Sequence, residues 1–262
     1  MESKRVLATS IDSETRRNYL ASVDFKKDPR PTVLRTVGAQ ADPKHSALLI
    51  VDVQNNFVHP ELCLYKPDGL GKHSKGDVWK AEPLIPRMLE NLPKLLQAAR
   101  EANLLIVFIR ATYDPKYLSE PWAFMLERKG LYGDICIEGT PGADFYGDIR
   151  PRPNHPREVV VTKHRFSGVW HTDLLTILRS NGIKTVVMTG VATSGCVEAT
   201  TRDLFFNDFY TITVEDCCAQ PDEAGHYSSL DTMGRSYGFV VKYQDLIGLW
   251  AKVRQPAMVA ND

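Results

Sequence analysis

Three polar residues stand where apolar runs stop. Asp52 closes the run Ala47-Leu48-Leu49-Ile50-Val51, and Lys163 comes two residues after Val159-Val160-Val161. Cys196 follows Val186-Val187-Met188-Thr189 through a turn of small residues, Gly190 to Gly195. A carboxylate, an ammonium and a thiol gathered at one place suit nucleophilic attack on a carbonyl. The carboxylate takes the thiol proton and later delivers it to the leaving nitrogen, while the ammonium offsets the repulsion between carboxylate and thiolate. Attack would leave a thioester or thiocarbamate on sulfur, which water then hydrolyses. Each residue also has a plainer reading: Asp52 as a turn cap, Lys163 as a solvated charge, Cys196 as a buried structural thiol. His164 and His171 have no partner spacing and read as surface or capping residues.

The cysteine carries the sharpest local pattern. A strand, a turn built from Gly, Ala, Thr and Ser, and a cysteine opening a helix resemble a nucleophile elbow made with sulfur. Backbone N–H groups at a helix start favour an anion, so the thiol pKa is expected to fall and the same amides to hold an oxyanion. Glu198 favours the same helix start electrostatically.

The elements that must position these residues alternate. Apolar runs predict strands at Ala47–Asp52, Leu104–Ile109, Glu158–Val161, Lys184–Thr189, Tyr210–Glu215 and Gly238–Val241. Helical spacing or capping residues predict helices over Leu84–Asn103, Thr172–Asn181 (capped by Thr172 or Asp173), Cys196–Asn207 and Asp222–Tyr237. Gly69–Asp77 reads as a polar loop, and Thr112–Pro156 as a long irregular insert of the kind that walls a pocket. Strand alternating with helix gives an α/β fold, a doubly wound parallel sheet with helices on both faces. Ligands in such folds bind beyond the C-terminal strand ends, where all three polar residues fall.

Residues 1–45 are polar and read as an N-terminal arm, with one domain over 46–262. The whole chain of 262 residues balances 32 Lys and Arg against 32 Asp and Glu, so binding driven by phosphate neutralisation is not expected. No apolar run approaches the roughly 20 residues that span a bilayer, and nothing near Met1 reads as a signal peptide. Five cysteines, an odd number without metal-ligand spacing, predict free thiols and a reducing, cytoplasmic setting.

At Ala47–Phe57 (ALLIVDVQNNF), Val160–Phe166 (VVTKHRF), Thr189–Arg202 (TGVATSGCVEATTR) and Val214-Glu215-Asp216, the chain resembles the isochorismatase-like cysteine hydrolase superfamily. The likeness spans about Ser46 to Val241, and within it the stretch Lys163–Cys218 is most similar to the ureidoacrylate amidohydrolase branch, whose neighbours act on biuret, triuret and N-carbamoylsarcosine. It implies a catalytic triad of Asp52, Lys163 and Cys196. It also implies a cis peptide between Val191 and Ala192, with the amides of Ala192 and Cys196 facing the oxyanion, and a homo-oligomer, dimer or tetramer. Isochorismatases proper lack the nucleophilic Cys. Nicotinamidases carry an Asp–His–His metal set where this chain reads Arg110-Ala111-Thr112-Tyr113-Asp114-Pro115, so neither a metal nor another cofactor is expected. The Asn, Trp and Tyr of the ureidoacrylate branch are replaced here by Ala111, Tyr113 and Phe166.

Candidate pocket walls are Arg110, Tyr113, Tyr117, Trp122, Phe166 and Trp170, since aromatic surfaces exclude water and suit a flat ureido group. Gln54 and Asn55 are candidates for holding a second carbonyl or orienting Asp52. Arg165 is a candidate for an anionic substrate group or for a neighbouring subunit. The expected activity is cleavage of a C–N bond in a small ureido or carbamoyl amide. Its rivals are hydrolysis of a plain carboxamide of nicotinamide or maleamate type, and a flavodoxin-like thiol-sensing module.

Overall fold

A computed structural model describes residues 33–64 and 84–254; the Gly69–Asp77 segment and residues 1–32 of the expected arm lie outside the described residues. By its contacts the chain divides into two units between Arg35 and Thr36, the second of them compact. The second unit, which begins ahead of Ser46, holds the elements that follow.

They are α1 (Val37–Gln40), β1 (Ser46–Val51), α2 (Asn55–Val58), α3 (Leu84–Glu101), β2 (Leu105–Ala111), α4 (Glu120–Arg128), β3 (Glu158–Lys163), α5 (Leu174–Ser180), β4 (Thr185–Val191), α6 (Glu198–Phe206), β5 (Tyr210–Ala219), α7 (Glu223–Ser236), β6 (Gly238–Val241) and α8 (Tyr243–Arg254). The six strands of the described residues are all parallel and lie in the order β3-β2-β1-β4-β5-β6. The chain therefore builds outward from β1 to β3, then returns to β4 on the other side of β1. That reversal is the switch point at which open α/β sheets leave a crevice.

Alternation along the strands feeds two apolar layers. Leu48 and Ile50 of β1 join Ile106 and Phe108 of β2 on one face. Ala47, Leu49 and Val51 join Leu105, Val107 and Ile109 on the other. The first face is covered by α3, through Met88, Leu92, Leu95, Leu96 and Ala99, and by α8, through Leu246 and Trp250. The second is covered by α5, through Leu174 and Leu178, and by α6, through Leu204. Trp250 is fully buried and donates its Nε1–H to the Ala41 carbonyl at 2.9 Å, so its one polar group is satisfied. Pro93 sits on the exposed side of α3.

Several expectations are corrected. The insert is not wholly irregular, because α4 and two short 3-10 turns, Pro115–Tyr117 and Pro141–Ala143, lie within it. β5 runs on to Ala219, past a register irregularity against β4 between Met188 and Gly190. The expected helix at Cys196 begins instead as a π-helical turn, Thr193–Val197, which passes into α6. Helix α8 was readable in Leu246, Leu249 and Trp250 at helical spacing but lies beyond the elements drawn from the sequence. No described helix is long and apolar enough to cross a membrane.

Candidate active site

Asp52 leaves β1 with φ of 51°, the left-handed region that Asp tolerates better than most residues. Its N–H donates to the Ile109 carbonyl at 2.9 Å and its carbonyl accepts from Gln54 N–H at 2.7 Å, so the turn is pinned on both sides. Beside it, Gly190 has φ of 108°, and a Cβ there would meet the Val51 carbonyl oxygen at 2.1 Å. Only glycine lets β4 approach β1 this closely. The next peptide, Val191–Ala192, is cis.

Lys163 ends edge strand β3 opposite Ala111 in register. Its Nζ lies 2.7 Å from Asp52 Oδ2 with both side chains fully buried. It also donates to Cys196 Sγ at 3.2 Å and to the Arg165 carbonyl at 3.0 Å. An ammonium has three N–H donors, and all three are used.

The charges follow from this packing. Burial works against the Lys163 ammonium, but Asp52 and then Cys196 outweigh it and hold the pKa above its ordinary value. Burial raises the Asp52 pKa, with Lys163 opposing, and no backbone amide among the described residues donates to either carboxylate oxygen. The lowered thiol pKa expected from the helix start is reversed. Burial first, and the Asp52 charge second, push Cys196 up to about 12, with Lys163 only partly compensating. Cys196 is therefore a thiol at neutral pH, in contact with a carboxylate made more basic by its burial.

The turn bearing Cys196 is fixed from several directions. Thr200 Oγ1 donates to the Cys196 carbonyl at 2.6 Å and accepts from Gly168 N–H at 2.9 Å, joining α6 to the segment after Lys163. Ser194 N–H donates to Gln220 Oε1 at 2.7 Å, Thr193 Oγ1 lies 2.8 Å from His226 Nδ1, and Ser229 Oγ, 3.2 Å from the Thr193 carbonyl, gives its hydrogen to the closer Glu198 Oε2. Cys136 lies close enough to Asp52, Lys163 and Cys196 for their charges to act on its buried thiol, whose pKa is raised chiefly by burial. Sequence reasoning missed Gln220, His226, Ser229 and Cys136. Only the Thr193–Cys196 turn was visible, because the others are distant in the chain and follow no motif spacing.

The candidate pocket residues separate. Tyr113, Trp122 and Phe166 form one aromatic wall, with ring centroids 5.8 Å apart for Tyr113–Trp122 and 4.7 Å for Trp122–Phe166. The Arg165 guanidinium lies 5.4 Å over Trp122 and donates to the Tyr117 carbonyl at 3.1 Å, while Tyr117 stacks on His164 at 3.7 Å. Others point elsewhere. The buried Gln54 amide donates to the carbonyls of Ala111 and Ala143 and accepts from Ala111 N–H, so it clamps backbone. Asn55 donates to the Pro141 carbonyl and lines a separate cavity of about 480 Å³ with His59, Asp144, Phe145, Gly147 and Arg150. Arg110 is tied to Thr162 and Glu138. Trp170 is 57% exposed and makes its ring contact with His171.

Comparison with known proteins gives a consistent picture. Over 235 residues the chain is 27% identical to "Ureidoacrylate amidohydrolase RutB" of Acinetobacter baylyi, covering 84% of this chain and 90% of that one. A cysteine hydrolase from Pseudomonas syringae pv. phaseolicola shares the fold, with a TM-score of 0.67 at 23% identity over 84% of this chain and 98% of that one. N-carbamoylsarcosine amidase from Thermoplasma acidophilum superposes with a TM-score of 0.58 at 26% identity, covering 76% and 96%. Residues 46–245, the stretch that carries the sheet and all three converging side chains, match the family model of the Isochorismatase domain, and the chain belongs to that family.

Proposed function

We propose that this protein is a cysteine amidohydrolase that cleaves a C–N bond in a small ureido or carbamoyl amide, with Asp52, Lys163 and Cys196 as its catalytic residues. The observation that carries the reading is the meeting of the three side chains, from the ends of three strands, at 2.7 Å and 3.2 Å around one ammonium. With the thiol protonated at rest, attack and proton transfer run together. The S–H proton moves to the Asp52 carboxylate as Sγ bonds to the substrate carbonyl carbon, and the carbonyl electrons move to oxygen. The amides of Ala192 and Cys196 are the candidate donors to that oxyanion. When the oxyanion collapses, the C–N bond breaks and Asp52 returns the proton to the leaving nitrogen. Water, deprotonated by Asp52, then attacks the thioester or thiocarbamate, and collapse releases the acid and restores the thiol. Throughout, Lys163 keeps its positive charge and balances whichever of sulfur and carboxylate is anionic.

The wall of Tyr113, Trp122 and Phe166, with Arg165 on its face, supports a flat substrate. The named activities of the ureidoacrylate amidohydrolase and N-carbamoylsarcosine amidase relatives support the ureido class. The reading extends to a homo-oligomer and to a reducing, cytoplasmic setting, the latter supported by five free cysteines. The test is a panel of ureidoacrylate, biuret, triuret, N-carbamoyl amino acids and aromatic amides with ammonia detection. We expect turnover on a ureido compound that Cys196→Ala abolishes. Turnover confined to aromatic carboxamides would transfer the site to the plain amidase reading, and turnover that survives Cys196→Ala would end the proposal.

A further inference from the structure

Helix α7 lies against the nucleophile's turn without carrying any of the three central residues. His226, on its first turn, is fully buried, and its ring meets Thr193 Oγ1 through Nδ1 at 2.8 Å. One turn further on, Ser229 Oγ lies 3.2 Å from the Thr193 carbonyl, with its hydrogen given to the closer Glu198 Oε2. Ahead of the helix, Gln220 accepts from Ser194 N–H and donates to the Asp222 carbonyl. Asp222 in turn caps α7 by accepting from Gly225 N–H. Two side chains from one stretch, Gln220 and His226, therefore hold two consecutive residues of the turn, Ser194 and Thr193, immediately ahead of Gly195 and Cys196.

His226 is a costly residue for a purely packing role. Its Nε2 is buried and finds no partner among the described residues, a desolvation cost that an apolar side chain would avoid. The contact that offsets the cost is the one to Thr193. Burial, with the Arg87 charge adding to it, lowers the His226 pKa to about 4, so the ring is neutral in the physiological range. Either neutral tautomer pairs with a hydroxyl, which both donates and accepts.

We propose that Thr193 and His226 form a positioning pair that sets the turn carrying Cys196, so that its sulfur faces Asp52 and Lys163 and its amide faces the developing oxyanion. The pair touches neither substrate nor the reacting atoms; it acts through the turn. Displacements of a fraction of an ångström at a nucleophile cost rate rather than substrate binding. The inference rests on Cys196 being the nucleophile.

The test combines steady-state kinetics on the best panel substrate with the rate of Cys196 alkylation by iodoacetamide, followed by peptide mass spectrometry. Thr193→Val, which swaps a hydroxyl for a methyl at constant shape, is expected to lower kcat about tenfold with KM within about twofold of wild type. His226→Leu is expected to do the same, and the double variant to be no slower than the slower single one. His226→Asn, whose amide reaches the place of Nδ1, and Thr193→Ser are expected to recover most of kcat. The inference is overturned if Thr193→Val keeps both kcat and alkylation rate within about twofold of wild type, if the two losses multiply, or if neither conservative variant recovers activity. Should His226→Leu not fold, the Thr193→Val and Thr193→Ser pair decides alone. A wild-type protein inactive on the whole panel would sink the amidohydrolase reading instead, and the alkylation contrast would still judge the pair.

Discussion

Lys163 is the residue on which the electrostatics of the site turn. A buried ammonium is tolerated here because the carboxylate of Asp52, the sulfur of Cys196 and the carbonyl of Arg165 each take one of its hydrogens. Replacing it with Met of similar length leaves a fully buried carboxylate without a counter-charge. Lys163→Met is expected to destabilise the fold by about 3–5 kcal/mol, measured by urea denaturation. Adding Asp52→Asn should restore most of that loss, because the uncompensated charge is then gone. Neither variant should turn over substrate. A Lys163→Met protein of unchanged stability would show that the ion pair is open to water rather than sealed.

Among the elements, β4 does the most to shape the site, and it does so where its side chain is missing. Gly190 allows the strand to touch β1 beside Asp52, and its φ of 108° is one that L-residues rarely adopt. Gly190→Ala forces either the Val51 carbonyl or the whole end of β4 aside. We expect a loss of roughly 3 kcal/mol or more in chemical denaturation, and a fall in kcat larger than stability alone explains, since Asp52 and the Cys196 turn leave the same place. The edge of the sheet is simpler. Lys163 stays inward because alternation along β3 gives it the side of Val159 and Val161, while Val160 faces outward at 43% exposure.

Across the molecule, the end of β3 far from the site is held by a second ionic cluster, which sets how the fold responds to acid. The Glu158 side chain is buried, and Arg100 on α3 grips it with two donors at 3.0 Å. Arg152 adds its backbone N–H at 2.7 Å and its Nε at 2.6 Å. Burial alone would raise the Glu158 pKa, but the bonds from Arg100 and then Arg152 hold it below the ordinary value. A carboxylate with a depressed folded pKa contributes stability above its unfolded pKa and loses it as pH falls through the folded value. Glu158→Gln is therefore expected to cost roughly 1.5–3 kcal/mol at pH 7 and to approach wild-type stability near pH 3, read by urea denaturation at both values. An equal deficit at both pH values would mean the cluster acts by shape rather than charge. Asp52 has the opposite sign: its raised pKa makes its ionisation a cost that grows as pH rises.

Much of this was legible in the chain itself. Continuous apolar runs announce strands buried on two faces, helical spacing announces their covers, and polar residues at run ends mark the side where the sheet binds ligands. Asp52, Lys163 and Cys196 could be picked out because each breaks a local pattern. What could not be read depends on residues far apart meeting in a dry interior. The cysteine's place at a helix start argued for an acidic thiol, yet burial beside Asp52 pushes its pKa the other way. Gln54 and Asn55 sit two and three residues from Asp52, but Gln54 is consumed by backbone 57 and 89 residues away and Asn55 faces another cavity. His226 broke no pattern at all, and only the packing of α7 against the turn shows what it touches. Local order follows from short-range sterics and alternation, whereas protonation and side-chain purpose follow from desolvation and distant partners, which exist only once the chain has closed on itself.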